Sequence, residues 1–367
     1  MWFLGVLILL MWLAPSAYAA PVTLTIIIDG SGSGVVTGSV GISCPPDCTE
    51  TVQSGTSVEL RVLPARASAF SGWSGGGCSG DDPCTTTISS DTSVTATIDQ
   101  ACVLDPGTGG VSIKAGYSFV QDPEGNFYPY EVKTLEVEEG NLVYEGKPCT
   151  DATTLNTDEI RLFGEIPAYL ILELGDSGLG PGATTEAIGT PEIELYLDVA
   201  KSFEGGGVFV VLSTTDASET IALGQLGWNL NGDDDVDIFP GGITSMDVSS
   251  EGGPDLITAR GGFGTGDPTT LRLGLGGGDG SDRLVGNNLQ NYLVGGNGPD
   301  MIIAGRGNDW LWGTKGADVL RGGGDRDRLF GGNGPDEMTG GRGVDECRGE
   351  RGKDIARSCE QLADRNL

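Results

Sequence analysis

The sequence predicts an all-β protein whose C-terminal part is a solenoid of short, stacked strands. Residues 277–357 repeat every nine residues with little interruption, and a fixed short period is typical of repeat architectures. Ahead of them, apolar residues alternate or run together over short stretches broken by turns, which is the pattern of strands. Residues 101–250 contain no convincing long helical pattern.

Each nine-residue block has a turn half and a strand half. A typical block reads GGNGPDMII, with glycine at positions one, two and four, aspartate at six and an apolar residue at eight. The glycines allow backbone angles that other residues resist and leave the loop carbonyls accessible. Consecutive strands fall on opposite sheets, so two blocks close one coil. Coils stack about 4.8 Å apart, which brings equivalent residues of neighbouring coils side by side and points position eight inward.

Position six therefore forms two columns of carboxylates. The first column contains Asp282, Asp300, Asp318, Asp336 and Asp354; the second contains Asn291, Asp309, Asp327 and Asp345. Carboxylates this close repel one another unless a cation lies between them, and calcium takes six to eight oxygen ligands. Asp–Asp neighbours give four sites in the first column and two in the second, about six in all. Asn291 carries no charge and weakens a further site against Asp309. Asp325 replaces a turn glycine, which either distorts that loop or adds a ligand.

The blocks match the pattern GGxGxDxUx, where U is apolar, and so resemble the RTX, or hemolysin-type, calcium-binding repeat family. The resemblance implies a parallel β-roll over residues 251–357, followed by a C-terminal cap and tail at 358–367. It also implies several calcium ions between adjacent loops, held by the position-six aspartates and by loop carbonyls.

The N-terminus predicts export. An apolar run at residues 2–13 precedes Ala17-Tyr18-Ala19, an A-x-A cleavage pattern, so we expect residues 1–19 to be a Sec-type signal peptide. The mature protein is then secreted or associated with the cell surface. No lysine or arginine occurs before Arg61, which leaves an uncleaved anchor as the alternative.

The eight cysteines predict disulfides, as expected of an exported chain. Their grouping pairs Cys102 with Cys149 and Cys347 with Cys359. Sequence alone does not settle the pairing among Cys44, Cys48, Cys78 and Cys84. A bridge at Cys347 would close the last coils and cover an open sheet edge.

Residues 20–100 predict a small β module, with Phe70 and Trp73 as the bulk of its core. The order of GISCPPDC, GTSVELRVLP, FSGWSGGGCSG and SVTATID resembles the divergent InlB-type B-repeat domain of bacterial surface proteins. The resemblance implies a compact spacer or adhesive unit.

Residues 101–250 predict a β-rich lead-in, either solenoid-like or a sandwich, that templates the roll. Within it, Asn231, Asp233, Asp235 and Asp237 alternate, so on an extended chain they would share one face. Such a face either holds another calcium ion or is a solvated acidic turn.

Charge and composition exclude several classes of function. The chain has 52 acidic and 21 basic residues, which argues against nucleic acid and anionic membrane surfaces as partners. Most of the excess lies ahead of the repeats, since residues 1–276 hold 37 of the acidic and 9 of the basic residues. The chain has no histidine, which removes His-based triads, HExxH centres and histidine zinc sites.

We therefore expect a secreted, non-enzymatic calcium-binding protein with a structural or adhesive role on the cell surface or in the extracellular matrix. The first alternative is a glycan-binding protein that uses outward-facing residues of one sheet: Tyr292, Val294, Trp310, Trp312 and Phe330. Docking against the middle region or another copy would also cover this face. A secreted hydrolase with an RTX tail is the second alternative, but it would need carboxylates alone.

Overall fold

The computed structural model describes residues 20–362 except 82, 106–109, 116–117, 122–126, 131, 139–140, 154–158, 167–168, 174–193, 202–207, 215–217 and 233–235. Every regular element among these residues is a β-strand, so the all-β prediction is confirmed. None of them lies in a helix long and apolar enough to cross a membrane. The signal peptide expected at residues 1–19 falls outside the described part.

The chain forms two compact units. The first comprises the described residues up to Asp29 together with Val35–Val62 and Phe70–Thr97, and the second comprises Gly30–Gly34, Leu63–Ala69 and the chain from Ile98 onward. Eight strands have most of their residues in the first unit: β1 (Pro21–Asp29), β2 (Gly34–Gly38), β3 (Ser43–Cys44), β4 (Thr49–Gln53), β5 (Thr56–Pro64), β6 (Ser68–Ser74), β7 (Cys84–Ile88) and β8 (Thr92–Gln100).

The first unit has two four-stranded sheets around one apolar core. Their orders are β4-β1-β8-β6 and β3-β2-β5-β7. Alternate residues of the strands point inward, and Trp73 is buried with the Phe70 ring 5.2 Å away. The structure settles the pairing that the sequence left open, because Cys44 is bonded to Cys48 and Cys78 to Cys84. Two short loops of this small module are therefore fixed covalently.

Twenty-seven further strands lie mainly in the second unit. The strands ahead of the periodic stretch are β9 (Cys102–Asp105), β10 (Gly110–Ala115), β11 (Ser118–Gln121), β12 (Phe127–Tyr130), β13 (Val132–Glu138), β14 (Asn141–Tyr144), β15 (Lys147–Thr153), β16 (Glu159–Ile166), β17 (Tyr169–Glu173), β18 (Glu194–Lys201), β19 (Val208–Ser213), β20 (Thr220–Leu223), β21 (Trp228–Asn229), β22 (Ile238–Gly241), β23 (Ile243–Ser249) and β24 (Leu256–Thr258). The remaining strands are β25 (Arg272–Asp279), β26 (Arg283–Val285), β27 (Asn291–Asn297), β28 (Met301–Arg306), β29 (Trp310–Lys315), β30 (Val319–Gly324), β31 (Arg328–Asn333), β32 (Glu337–Arg342), β33 (Glu346–Arg351), β34 (Ile355–Arg357) and β35 (Gln361–Leu362).

Two parallel sheets run through this unit as the faces of one β-roll. The first sheet stacks β13, β17, β19, β23, β25, β27, β29, β31, β33 and β35 in parallel. The second stacks β10, β16, β18 and β22 in parallel. It continues through the antiparallel strands β21 and β20 and then stacks β20, β24, β26, β28, β30, β32 and β34 in parallel. The parallel stacking crosses residue 250, where Val248 on β23 pairs with Leu275 on β25. The lead-in is therefore solenoid-like rather than a sandwich.

The core of the roll is built from position eight. Leu293 pairs with Leu311 on the next coil, and Leu311 pairs with Leu329. These side chains have no exposed surface, like their equivalents on the second sheet. Both pairings expected from the cysteine grouping are present, Cys102 with Cys149 and Cys347 with Cys359. Because Cys347 is one of the inward residues, its disulfide attaches the end of the chain to the core.

Candidate metal-binding columns

The position-six side chains form two straight columns along the roll. In each coil the Oδ1 atom accepts a hydrogen bond from the main-chain N–H of the position-six residue one coil earlier. The distance is 2.9 Å from Asp282 N to Asp300 Oδ1 and 2.8 Å from Asn291 N to Asp309 Oδ1. The same bond recurs at 2.9–3.0 Å down both columns. It fixes every carboxylate to the neighbouring backbone.

The second oxygen of each carboxylate has no such partner. The Oδ2 atoms of all eight repeat aspartates are buried and have no hydrogen-bond partner within the described residues. The residues are Asp282, Asp300, Asp309, Asp318, Asp327, Asp336, Asp345 and Asp354. Buried polar atoms in folded proteins nearly always have a partner, and a regular series of exceptions requires an explanation.

Seven of the eight Oδ2 atoms lie against the position-one glycine of their own block, at a place that we call the loop pocket. The exception is Asp309, whose block begins with Ala304. A Cβ atom on Gly277 would lie 2.5 Å from Asp282 Oδ2 and 2.7 Å from the carbonyl oxygen of Gly295 on the next coil. Gly313 has the same relation to Asp318 and to the Gly331 carbonyl, 2.5 Å away. Neither Gly277 nor Gly313 has a positive φ. Glycine is needed at position one for space, not for backbone conformation.

The loop pocket fits a hard cation. It presents a carboxylate oxygen and a backbone carbonyl from adjacent coils, and these are the donors that calcium prefers. Among the described residues no group of three or more acidic or cysteine side chains converges on one point. Carbonyls would therefore have to supply much of the coordination, as in a loop built from glycine.

Burial makes these carboxylates poor anions without a cation. Desolvation raises the pKa of Asp300, Asp309 and Asp327 to about 7, although the hydrogen bond from the preceding coil lowers it. Desolvation likewise raises the pKa of Asp336 to about 6. Neighbouring carboxylates add to the shift at Asp300, Asp327 and Asp336. A bound positive charge would relieve both desolvation and repulsion.

Comparison with known families agrees with this geometry. The model of the RTX calcium-binding nonapeptide repeat matches four overlapping stretches, residues 276–308, 285–320, 294–329 and 321–356. Residues 276–356 carry RTX repeats. None of the curated proteins compared with the chain matches it. RTX repeats bind calcium, so the match supports calcium binding by this region.

The first column begins before the RTX repeats. Asp255 N donates to Asp282 Oδ1 at 2.9 Å, and Asp255 Oδ1 accepts from Glu219 N at 2.8 Å. Its own position-one residue is Ser250, whose hydroxyl donates to the Gly277 carbonyl at 2.8 Å. The equivalent carbonyl bounds each later loop pocket, so Ser250 fills this one with a hydroxyl group. Gly253-Pro254-Asp255 matches the GPD of two regular blocks, which is the sequence signal for this coil.

Neutral and positive groups close the head of the second column. Asn291 Oδ1 accepts from Asn287 N at 3.1 Å, and its Nδ2 donates to Asn287 Oδ1 at 3.0 Å. The Arg260 guanidinium donates to the Gly286 carbonyl at 3.2 Å. This end is satisfied by amides and a fixed positive charge, and the weaker calcium site expected at Asn291 stays a prediction.

Asp325 does not distort its turn. It keeps a positive φ of 73°, and its Oδ2 accepts from the main-chain N–H of Gly307, one coil earlier, at 3.3 Å. Its charge helps to raise the pKa of Asp309 and Asp327. It therefore adds negative charge next to the second column.

The acidic stretch at 231–237 lies between β21 and β22, which pair antiparallel, and its described residues belong to no strand. Asp237 is buried and accepts from Leu230 N at 2.5 Å, whereas Asn231 is exposed. Asp233 and Asp235 lie outside the described residues, so the calcium site expected from these four side chains stays a prediction.

The outer face of the first sheet carries two ladders of stacked side chains that end at a groove. Tyr292, Trp310 and Arg328 form one ladder, and Val294, Trp312, Phe330 and Arg348 form the other. Their rings stack at 5.5–6.4 Å, and arginine groups cover Trp310 and Phe330 at 4.4 Å and 5.6 Å.

The preceding rungs of these ladders are Gly274 and Gly276, which have no side chains. Their place is taken by a groove of about 700 Å³. Tyr292 and Val294 lie at one end of the groove and Phe209 and Asp247 at the other.

Proposed function

We propose that the chain is a secreted protein whose RTX repeat region folds on calcium binding. The observation that carries this proposal is the series of buried Oδ2 atoms, seven of them facing a loop pocket and all without a hydrogen-bond partner in the described structure. Burying an unpaired carboxylate is costly. In this proposal the Asp columns are stable as anions only when a cation neutralises them.

Calcium, when bound, supplies positive charge and oxygen coordination that links adjacent loops. The protein contributes the Oδ1 hydrogen bonds that hold each carboxylate and the glycines that keep each pocket open. Extracellular sites of this kind bind at about 0.1–1 mM. Ions that bind only the folded state stabilise it by mass action. Folding would therefore follow export into a calcium-rich medium, given the expected signal peptide at residues 1–19.

Calcium titration by calorimetry tests this function. We expect the wild-type chain to bind about six ions and Asp318→Ala to bind fewer, because Asp318 borders two gaps of the first column. Asp318→Asn is the sharper variant, since an amide oxygen can still accept the bond from Asp300 N while the charge is lost. Asp267→Asn removes the charge of an exposed carboxylate outside the columns and should bind as the wild type does. Absence of binding by the wild type would refute the function.

For the exported protein we propose a structural or adhesive role without catalysis. Support comes from a small β module, a unit separate from the roll, whose sequence resembles a bacterial surface repeat, and from a chain without histidine. Matrix or cell-surface components are the corresponding partners. A binding assay of the separate module to surface polymers, with the roll as a matched control, tests which part adheres.

A second candidate function is glycan binding in the groove at Gly274 and Gly276. A sugar ring has an apolar face that stacks on aromatic rings and hydroxyl groups that bond to polar side chains. The Tyr292 ring ends its ladder at the groove, and Asp247, Arg272 and Gln290 line the same space. A sugar ring would occupy the missing rung at Gly276, because the Asp247 carboxyl group already lies against Gly274.

A glycan array separates this candidate from a purely structural role. Trp310→Ala removes the ring that supports Tyr292 and should weaken binding. Gly276→Phe is the stronger test. A Cβ there meets Ser249 Oγ at 3.5 Å, an ordinary contact, and the phenyl ring would continue the Val294 ladder into the groove. We expect Gly276→Phe to abolish glycan binding without loss of stability. A wild type that binds no glycan on the array excludes the candidate.

A further inference from the structure

The last coil of the roll is shortened by three residues but keeps the bonding pattern of a regular coil. The ninth block ends at Arg357, so a regular tenth block would have its position six at residue 363. Instead, Gln361 pairs with Glu346 and Leu362 pairs with Cys347. These partners occupy positions seven and eight of their block, so Glu360 takes position six.

Glu360 makes the hydrogen bond that identifies a column member. Asp345 N donates to Glu360 Oε2 at 2.8 Å, as every earlier residue of the column donates to the next aspartate. Gln361 N donates to the Asp345 carbonyl at 3.0 Å, which repeats the bond from Ile355 N to the Asp336 carbonyl at 2.8 Å. The longer side chain of glutamate compensates for the missing residues of the turn.

A complete loop pocket lies between Asp345 and this last coil. A Cβ on Gly340 would lie 2.7 Å from Asp345 Oδ2 and would overlap the carbonyl oxygen of Ser358. Ser358 follows Gly340 by one regular coil length and supplies the carbonyl that glycine supplies elsewhere. Asp345 has no exposed surface, and its Oδ2 has no hydrogen-bond partner in the described structure. That atom points to a ligand at this place independently of Glu360.

We infer that Asp345, Ser358 and Glu360 form a terminal calcium site that the nine-residue period does not reveal. The inference rests on the proposed calcium function and adds an ion to the second column, beyond those between paired aspartates. Glu360 contributes the second carboxylate, and Ser358 contributes a carbonyl from a backbone with a φ of 52°. The site is exposed on the Glu360 side, so an ion can enter from the end of the roll.

The disulfide holds both new ligands in place. Cys359 lies between Ser358 and Glu360 in the chain and is bonded to Cys347, a fully buried residue of the core. Besides the disulfide, this segment is held by the two-residue strand β35 and by two hydrogen bonds, from Gly341 N to the Ser358 carbonyl and from Asp345 N to Glu360. The terminal site therefore depends on an oxidised Cys347–Cys359 pair, whereas the internal sites do not.

Calcium titration of the full chain with Glu360→Gln tests the site. Glutamine keeps an oxygen that accepts from Asp345 N, so the coil is retained while the charge is lost. We expect one ion fewer than in the wild type and unchanged binding by the others. The control Asp267→Asn should retain all ions. In Cys347→Ala/Cys359→Ala we expect the terminal site to weaken by about tenfold or more with Glu360 intact.

Trypsin supplies a second readout that does not depend on counting ions. Calcium should protect the Arg357–Ser358 bond in the wild type, and Glu360→Gln should be cut there at the same calcium concentration, as seen by mass spectrometry after reduction. If the wild type binds calcium and Glu360→Gln matches it in stoichiometry and in cleavage, the terminal site is wrong while the calcium function stands. If the wild type binds none, the calcium function itself fails.

Discussion

A buried aspartate with one bonded and one unbonded oxygen is the chemical unit of the RTX repeat region. Oδ1 is tied to the preceding coil, so the side chain cannot turn to satisfy Oδ2 elsewhere. Oδ2 is therefore held in the loop pocket. When no cation is bound there, this buried oxygen without a partner lowers the stability of the folded repeat region. An amide at this position finds partners for both of its polar atoms, as Asn291 does, so the aspartates suit the binding of a cation better than stability alone.

Without calcium, the stability of the repeat region should depend on pH. The folded-state pKa of Asp300, Asp309 and Asp327 is raised to about 7 from an ordinary value of 3.8. A raised folded pKa contributes stability that is full below the unfolded pKa and is lost as pH rises through the folded one. We expect the calcium-free repeat region to become more stable as pH falls from about 8 to about 5.

Urea unfolding of protein made calcium-free by dialysis, followed at several pH values, measures this trend. With saturating calcium the trend should weaken or reverse, because ligands must be deprotonated to bind a metal. A calcium-free roll that loses stability steadily below about pH 7 would contradict the assignment of the buried carboxylates as the destabilising groups.

Lys133 and Glu145 form a buried ion pair outside the columns. Lys133 Nζ lies 2.8 Å from Glu145 Oε1, and both side chains are 1% exposed. Burial lowers the pKa of Lys133, and the charge of Glu145 opposes that shift. Glu145 Oε2 also accepts from Ala67 N at 2.5 Å. Lys133→Met removes the positive charge next to the buried Glu145 carboxylate and should cost about 3–5 kcal/mol.

Lys133→Met/Glu145→Gln is the matched variant. Glutamine removes the buried negative charge and retains an acceptor for Ala67 N, so the double variant should be more stable than Lys133→Met by about 2 kcal/mol or more. Urea unfolding at a fixed calcium concentration measures both. Equal stabilities of the single and double variants would show that the two side chains are not energetically coupled.

At the level of the repeat element, the position-one glycines decide whether a pocket exists. In Gly313→Ala the methyl group would lie against Asp318 Oδ2 and 2.5 Å from the Gly331 carbonyl. Because φ at this residue is not positive, the backbone conformation itself accepts alanine, and the effect comes from the collision of the methyl group with Asp318 Oδ2 and with the Gly331 carbonyl. We expect Gly313→Ala to lose one bound ion in a calorimetric titration.

Gly324→Ala is the control for that prediction. A Cβ on Gly324 meets only the Arg306 side chain at 3.8 Å, and its φ is not positive either. It should bind the full number of ions with wild-type affinity. Loss of an ion from both variants would mean that alanine disturbs the repeat in general, and the pocket would not be the cause.

The regular coils could be predicted from the sequence because their length is constant. A fixed period places Leu293, Leu311 and Leu329 in one inward row and Asp300, Asp318 and Asp336 in one column. The structure shows both arrangements. The columns end where the coil length changes. Ser250 and Asp255 precede a coil that is longer by nine residues, and Glu360 follows a turn that is shorter by three.

Coil lengths in the lead-in vary too much for sequence to give the register. Ile160 pairs with Leu195 and Leu195 pairs with Ile238 across turns of different length. The apolar runs predict each strand, but no local feature of the sequence indicates which strand it pairs with.

The sequence did not reveal the groove for a related reason. It results from the absence of side chains at Gly274 and Gly276, which is visible only once these residues are stacked against Tyr292 and Val294.

On the scale of the whole molecule, acidity and calcium binding belong to different parts. Residues 277–357 hold 13 acidic and 11 basic residues, so the RTX repeat region is nearly neutral before any ion binds. Its arginines lie outside, for example Arg328 and Arg348 next to Glu346 and over the ring ladders. Eight of the 13 acidic residues are the buried aspartates, so five acidic residues face 11 basic ones outside the columns. The outer positive charge therefore offsets the buried carboxylates, which face the loop pockets. The roll would therefore gain net positive charge on binding calcium, while the rest of the chain stays strongly acidic.

The last prediction follows from the division into two units. The first unit has its own apolar core and two disulfides, and no aspartate column enters it. The RTX repeat region depends on the columns. We expect EGTA to unfold residues 277–357 and leave the module at residues 20–100 folded. The circular dichroism spectrum should lose part of its β signal, and limited proteolysis should release the module as a stable fragment.

Magnesium should not substitute for calcium, because it demands octahedral geometry and retains its waters. A digest and a spectrum unchanged by EGTA would show that the roll is stable without the ion, and the buried Oδ2 atoms would then need another explanation.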